Sequence, residues 1–169
     1  LDAYEEIAPL VKIADQNSAA EGGPQMTFFE VLVAMAYAAF ADAPVDVAVV
    51  EVGLGGAWDA TNVANGQVAV ITPIDLDHTN LLGDRIESIA AEKGGIIKAG
   101  AIAIVGIQEA EVVEIIAERC EQVGASLRGE GADFGVTSRE VAVGGQQVDL
   151  RGLAAEYAEL FLPLHGSYQ

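Results

Sequence analysis

The chain has few cysteines, few basic residues and no long apolar run, and each shortage excludes a class of protein. Its single cysteine, Cys120, cannot form an internal disulfide or a cysteine-based metal cluster, which favours a reducing cytoplasmic location. Lys and Arg number 8 against 26 Asp and Glu, so the net charge is −18 and we expect neither a nucleic-acid nor an anionic membrane partner. No apolar run reaches the roughly 20 residues of a membrane span. GxSxG, CxxC and HExxH motifs are also missing, so common hydrolase, redox and zinc-protease sites have no support.

Hydrophobic residues make up 51% of the 169, enough for a packed core. Near-continuous apolar runs at 45–52, 68–74 and 101–107 are typical of parallel strands that are covered on both faces. Helical patterns occur at 1–20, 27–40, 85–93 and 109–123. This alternation predicts an α/β fold with an open, mostly parallel sheet flanked by helices.

The last third of the chain has a different pattern. Short strands are predicted at 134–143, 147–153 and 160–164, with Gly144-Gly145 as a hairpin turn between the first two. They indicate an antiparallel β-meander appended to the parallel sheet.

The sequence contains capping residues for two of the predicted helices. Thr27 and Glu30 have the spacing of a capping box, and the alanine-rich helix that follows is predicted to be buried. In the helix at 109–123, Gly124 is the expected C-cap. The inward side chains of that helix are expected to be Val112, Val113, Ile115, Ile116 and Cys120.

Three segments could carry chemistry. Glu51 ends an apolar run and precedes a glycine-rich loop, which suits either a ligand site at a sheet edge or an ordinary turn. His78 follows the next run, and a carboxylate and an imidazole can both bind a divalent ion, although a loop histidine bonded to an Asp is the alternative. Lys93 lies near a helix end, where it either complements the helix dipole or serves as a reactive amine.

Taken together, these segments resemble folylpolyglutamate synthase/dihydrofolate synthase, a member of the Mur ligase superfamily. The motifs are TFFE at 27–30, VEVGLGGAWDATN at 50–62, ITPIDLDH at 71–78 with Leu82-Gly83, IAAEKGGIIK at 89–98, and the ending LPLHG at 162–166. Their order and spacing agree with the family over about residues 27 to 98.

The resemblance implies an ATP-dependent carboxylate–amine ligase with a P-loop-type central domain. Its substrates would be dihydropteroate or a reduced folate, together with L-glutamate and ATP, and the reaction would pass through an acyl phosphate. Glu51 and His78 would hold Mg²⁺, and Lys93 would be a catalytic residue, carbamylated to supply a carboxylate. The pterin pocket would be lined by Thr27, Phe28, Phe29, Glu30, Trp58, Asp59 and Ala60.

The chain departs from the family pattern in two respects. Ala57 stands where the family usually has Arg, and the family's N-terminal phosphate loop and C-terminal glutamate-ligase domain do not occur in these residues. We therefore expect residues 1–169 to be part of the central domain of a longer protein, and to be inactive alone.

Two alternatives stay open at the level of sequence. A cell-wall Mur ligase shares the Glu, His and modified Lys, although 59–62 and Glu92-Lys93 favour the folate branch. A nonenzymatic α/β binding domain is the other, supported by Ala57 and the missing phosphate loop.

Overall fold

A computed structural model describes residues 2–43, 45–76 and 85–166. The chain divides into two compact units. The helical unit comprises the chain up to Leu54 together with Trp58–Ala64, and the sheet unit comprises Gly55–Ala57 and the chain from Asn65 onward. In the part of the chain that is described, no helix is long and apolar enough to cross a membrane.

The helical unit contains α1 (Asp2–Ala20), α2 (Phe28–Asp42) and a short 3₁₀ helix (Ala60–Val63). The predicted capping box at the start of α2 is confirmed, with Thr27 as the N-cap and Glu30 bonding back. The prediction that α2 is buried is wrong, because none of its residues is buried. An apolar helix is covered only when a second layer of structure lies over it, and an apolar sequence does not supply that layer.

The strand predicted at 45–52 is also wrong. The described residues 45–52 form irregular backbone, and their side chains are mostly exposed, with Val47 at 79% and Val49 at 93%. A strand requires a second backbone to pair its N–H and C=O groups. Within the described residues no strand pairs with this segment.

The sheet unit begins with three parallel strands and two helices in alternation. They are β1 (Val68–Ile71), α3 (Ile86–Gly94), β2 (Ile102–Val105), α4 (Ala110–Val123) and β3 (Ser126–Gly129). The order is β1-β2-β3, and Val68 pairs with Ile102, which pairs with Ser126. The predicted parallel α/β fold is confirmed, although β1 and β2 are shorter than the apolar runs. Strand β3 was not predicted, because Ser126-Leu127-Arg128-Gly129 lies at the sheet edge and has no apolar run.

The core of the sheet unit lies on one side of this sheet. Alternate residues of β1 and β2 are buried, while Val68, Val70 and Ile102 on the other face are exposed by 56%, 60% and 41%. The prediction of strands covered on both faces therefore does not hold in the described residues. The buried set from strands and helices comprises Ala69, Ile71, Ala103, Val105, Ile89, Ala90, Val112, Ile116 and Cys120. Val113, predicted to point inward, is 40% exposed, and Ile115 is half-buried.

The predicted antiparallel meander is confirmed as β4 (Gly135–Ala142), β5 (Gly145–Arg151) and β6 (Glu156–Leu162) in that order. The turn is Val143-Gly144, one residue earlier than predicted, since Gly145 already pairs with Ala142. A Cβ on Gly145 would lie 2.9 Å from Pro163 Cα, so this glycine permits a close approach and is not part of the turn.

The C-cap of α4 gives a first testable expectation. Gly124 has the left-handed φ of 65°, and its N–H bonds back to Cys120 and Glu121. Gly124→Ala should lower the free energy of unfolding by about 1 kcal/mol, because a Cβ strains this conformation. Urea unfolding followed by circular dichroism measures this, with Gly129→Ala as the control. Gly129 also has open space around it but has no positive φ, so an equal loss in both variants would contradict the explanation.

Candidate active site

The glycine-rich loop of the sheet unit lies against the C-terminal turn of α3. The Gly56 N–H donates to Glu92 Oε1 at 3.1 Å, and the Ala57 N–H donates to the Glu92 main-chain oxygen at 2.9 Å. A Cβ on Gly56 would lie 2.5 Å from that oxygen and 2.9 Å from Lys93 Cα. The loop therefore reaches the backbone of Lys93 only because residue 56 has no side chain.

A second glycine completes this close approach. A Cβ on Gly95 would lie 2.7 Å from Ala57 Cα and would also collide with the Ala57 methyl group. The Gly95 N–H donates to the Glu92 main-chain oxygen at 3.1 Å, so this oxygen accepts from both Ala57 and Gly95. The structure thus places Ala57, the residue that departs from the family pattern, directly against Gly95.

Lys93 is half-buried in the last turn of α3. Its ammonium makes no hydrogen bond or ion pair with any residue that the structure describes. A cation in this position complements the negative end of the helix dipole. The amine is also without a carboxylate partner in the described residues.

Glu51 belongs to the helical unit, and its side chain is exposed. Its carboxylate has no hydrogen bond or ion pair within the described ranges. His78, its predicted partner, lies outside the described residues, as does Asp77. Among the residues that are described, no three His, Cys, Asp or Glu side chains cluster as a metal site.

An apolar groove of about 240 Å³ runs along α2 in the helical unit, with Glu51 at its wall. Phe29 also lines this groove, while Phe28 is 79% exposed. The other lining residues are Leu32, Val33, Ala36, Tyr37, Phe40, Val49, Val50 and Thr61. The structure therefore brings one predicted pterin contact and one predicted metal ligand to the same groove.

Thr27 and Glu30 bond to each other at the start of α2. Glu30 Oε2 accepts from the Thr27 N–H at 2.6 Å and from its hydroxyl at 2.7 Å, and the Glu30 N–H donates to Thr27 Oγ1 at 3.2 Å. Hydrogen bonds from the Thr27 backbone and side chain lower the pKa of Glu30. A contact of either residue with a pterin stays a prediction.

Asp59 is buried and caps the 3₁₀ helix. Its Oδ2 accepts from the Leu54 N–H at 2.9 Å, and its Oδ1 accepts from the Thr61 N–H at 2.9 Å and the Thr61 hydroxyl at 2.5 Å. Burial alone would raise the pKa of Asp59, but these bonds, with one from the Gly53 N–H, outweigh it and lower the pKa. The same segment exposes the Trp58 ring by 56% and starts the 3₁₀ helix at Ala60.

Tyr37 joins α2 to this segment within the helical unit. Its hydroxyl donates to the Thr61 main-chain oxygen at 2.7 Å. Burial and the negative charge of Asp59 raise the pKa of Tyr37. The hydrogen bonds of Asp59 and Tyr37 therefore hold the backbone on both sides of Trp58.

No family model matches the chain, but individual proteins do. It is 52% identical, over an alignment of 175 positions, to the dihydrofolate synthase/folylpolyglutamate synthase of Mycobacterium tuberculosis, covering 98% of this chain and 36% of that protein. The Escherichia coli protein of the same name is 42% identical over 129 positions, 76% of this chain and 30% of that one. The Mycobacterium tuberculosis folylpolyglutamate synthase complexed with ADP and AMPPCP has a TM-score of 0.91 at 52% identity, covering 99% of this chain and 38% of that one.

The chain belongs to the folylpolyglutamate synthase/dihydrofolate synthase family. The resemblance drawn from the motifs at 27–98 is confirmed, and so is the fold of a parallel sheet with helices and an antiparallel meander. The chain spans about a third of the length of the relatives it matches.

The contact of Glu92 with Gly56 and Ala57 was not predicted from the sequence. In the EKGG segment only Lys93 was assigned a chemical role. The available signal was the presence of two glycine pairs, Gly55-Gly56 and Gly94-Gly95. Two such pairs in one site suggest that two backbone segments lie in close contact. Sequence alone does not show that the two pairs face each other.

Proposed function

We propose that a full-length protein containing this chain couples ATP hydrolysis to the addition of L-glutamate to dihydropteroate, to folates, or to both. The observation that carries this proposal is the 52% identity across 98% of the chain to a dihydrofolate synthase/folylpolyglutamate synthase. It is supported by relatives solved with ADP, with AMPPCP, and with AMPPCP and folate.

The proposed reaction has two steps. An oxygen of the substrate carboxylate attacks the γ-phosphorus of ATP, the bond to the β-phosphate oxygen breaks, and an acyl phosphate and ADP form. The amine nitrogen of glutamate then attacks the acyl carbon, inorganic phosphate leaves, and the nitrogen loses a proton. ATP is required because a carboxylate is a poor electrophile, and phosphorylation converts one oxygen into a leaving group.

Glu51 and His78 are the proposed ligands of Mg²⁺. Glu51 fits this role in the structure, since its carboxylate is exposed and has no partner among the described residues, and carboxylate oxygen is the ligand that Mg²⁺ prefers. When bound, the ion would neutralise phosphate charge. This charge matters in a chain of net charge −18 whose proposed substrates are all anions.

Lys93 is proposed to carry a carbamate. The ammonium would first lose one proton, and the free amine nitrogen would then add to the carbon of CO₂ with loss of a second proton. This replaces a cation by an anion and places two oxygens at the end of the side chain. The half-buried amine without a partner in the described residues supports this role. Its place beside the glycine-rich loop also supports it.

The pterin contacts are proposed to come from two groups of residues. The exposed rings of Trp58 and Phe28 would stack on the flat heterocycle, with Phe29 in the groove. Thr27, Glu30, Asp59 and Ala60 would shape the pocket, since each of the first three already makes hydrogen bonds within the protein.

A substrate panel tests the proposed function. The full-length protein is incubated with ATP, labelled L-glutamate and one acceptor, which is dihydropteroate, tetrahydrofolate or a UDP-linked sugar peptide. Labelled amide product is expected with at least one pteroate or folate acceptor and not with the sugar peptide. The 169-residue chain is assayed in parallel and is expected to be inactive.

Two results would contradict the proposal. Turnover of the sugar peptide alone would favour a cell-wall ligase. Absence of ligation with every acceptor, by a folded protein supplied with Mg²⁺, would favour the nonenzymatic binding domain.

A further inference from the structure

We propose that Glu92 is a positioning residue whose side chain clamps the loop at 55–57 onto the C-terminal turn of α3 and so fixes the surroundings of Lys93. The effect of this clamp on catalysis depends on the proposed function of Lys93, and the clamp itself does not.

Glu92 holds the loop at two consecutive residues with two different atoms. Oε1 accepts from the Gly56 N–H, and the main-chain oxygen accepts from the Ala57 N–H. The second bond depends only on the path of the helix, so any residue at position 92 can form it. The first bond depends on the side chain, which makes residue identity important.

The buried position of Gly56 explains why the side-chain bond matters. Gly55 and Gly56 are buried, and a Cβ on Gly56 would lie 2.9 Å from Lys93 Cα. A buried N–H on Gly56 requires an acceptor, and the Glu92 carboxylate is the one that the structure provides. Losing that acceptor would favour movement of Gly56 toward water, away from the Lys93 backbone.

For Glu92 to bond the Gly56 N–H, the length of the side chain matters more than its charge. Glu92→Gln keeps an oxygen at the same distance from the backbone and removes the charge. Glu92→Asp keeps the charge and shortens the reach by one methylene. The clamp therefore predicts that Gln behaves like wild type and that Asp behaves like Ala.

The first measurement is amide hydrogen exchange in the full-length protein, read at residues 53–59. Exchange of the Gly56 amide should be about 10-fold faster in Glu92→Ala and Glu92→Asp, and close to wild type in Glu92→Gln. Exchange in α1 and α2 should not change. Glu118→Ala is the matched control, because Glu118 is an exposed helical glutamate on α4 that has no part in the site.

The second measurement is steady-state kinetics with the acceptor that the full-length protein uses. Glu92→Ala and Glu92→Asp should lower kcat by about 10- to 100-fold with KM for ATP unchanged, which is the usual cost of removing a group that orients a metal-site ligand. Glu92→Gln should restore kcat to near wild type, and Glu118→Ala should not lower it.

The outcomes separate this inference from the proposed function. Unchanged Gly56 exchange in Glu92→Ala would overturn the clamp whatever the activity. Equal effects of Gln and Asp, in exchange or in kcat, would overturn the claim that the accepting oxygen matters, even if Glu92→Ala does not fold. Faster exchange with no change in kcat would overturn the catalytic part. An inactive wild-type protein would instead reject the proposed function, and the exchange result would still decide the clamp.

Discussion

Replacing Lys93 with alanine in the full-length protein is expected to lower kcat for glutamate ligation by about 100- to 1000-fold. The reason is that the proposed carbamate supplies anionic oxygens at the metal and phosphate site, and alanine has no atom there. KM for the pteroate or folate acceptor should change little, since Lys93 is on α3 and the proposed pterin contacts are elsewhere in the sequence.

Lys93→Arg separates the two interpretations of this lysine. Arginine keeps a positive charge at the end of α3 but does not form the carbamate, so we expect Lys93→Arg to be as inactive as Lys93→Ala. Lys12→Ala, which removes an exposed lysine on α1, is the control and should retain wild-type kcat. Wild-type activity in Lys93→Arg would show that the cation beside the helix end is what matters, and would reject the carbamate.

Asp59→Asn is expected to lower the free energy of unfolding by about 2 kcal/mol near neutral pH. The Asp59 carboxylate accepts from Leu54 with one oxygen and from Thr61 with the other. Asparagine has one accepting oxygen, so its NH₂ group must face an N–H and leave one buried donor without a partner. Urea unfolding measures the loss, and Asp46→Asn, at an exposed position, should cost less than about 0.5 kcal/mol.

The free energies of unfolding of the wild type and Asp59→Asn should also depend differently on pH. The pKa of Asp59 in the folded chain lies below its ordinary value of 3.8, so the ionised carboxylate stabilises the fold above that value. This contribution is lost as the pH falls through the folded pKa. The difference in unfolding free energy between wild type and Asp59→Asn should therefore shrink below about pH 4. A difference that stays constant down to about pH 3 would contradict the assignment of the charge to these bonds.

Local signals predicted local structure well. The capping box needs only Thr27 and Glu30 three residues apart, and the end of α4 needs only a glycine that adopts a positive φ. In both cases the interacting groups lie within one helical turn, so the sequence contains the whole interaction. The buried residues of α4 were mostly predicted for the same reason, since the helical period determines which side chains share a face.

Predictions that depended on distant partners were less successful. The apolar residues of 45–52 predict a strand, but a strand requires another strand beside it, and the described residues do not provide one. The edge strand β3 shows the opposite error, since a strand exists there that the sequence did not predict. Its sequence is not apolar, and it is a strand because it pairs with β2. The clamp by Glu92 joins residues 36 positions apart, so its parts were visible as motifs while their contact was not.

At the candidate site, too, sequence motifs were predicted and specific contacts were not. The motifs identified the family and the Lys93 segment, and the comparison with the Mycobacterium tuberculosis protein agrees with them. The sequence did not show that the Asp59 side chain caps the 3₁₀ helix, although Asp commonly accepts from the N–H two residues further on.

Transfer of oxygen from the acceptor carboxylate to phosphate tests whether the reaction passes through an acyl phosphate. The full-length protein is given ATP, L-glutamate and an accepted pteroate or folate whose carboxylate carries heavy oxygen, and the inorganic phosphate is analysed by mass spectrometry. If the carboxylate is activated as an acyl phosphate, one heavy oxygen appears in inorganic phosphate for each amide bond formed. Amide formation with no heavy oxygen in the phosphate would show that the carboxylate is not activated by phosphorylation.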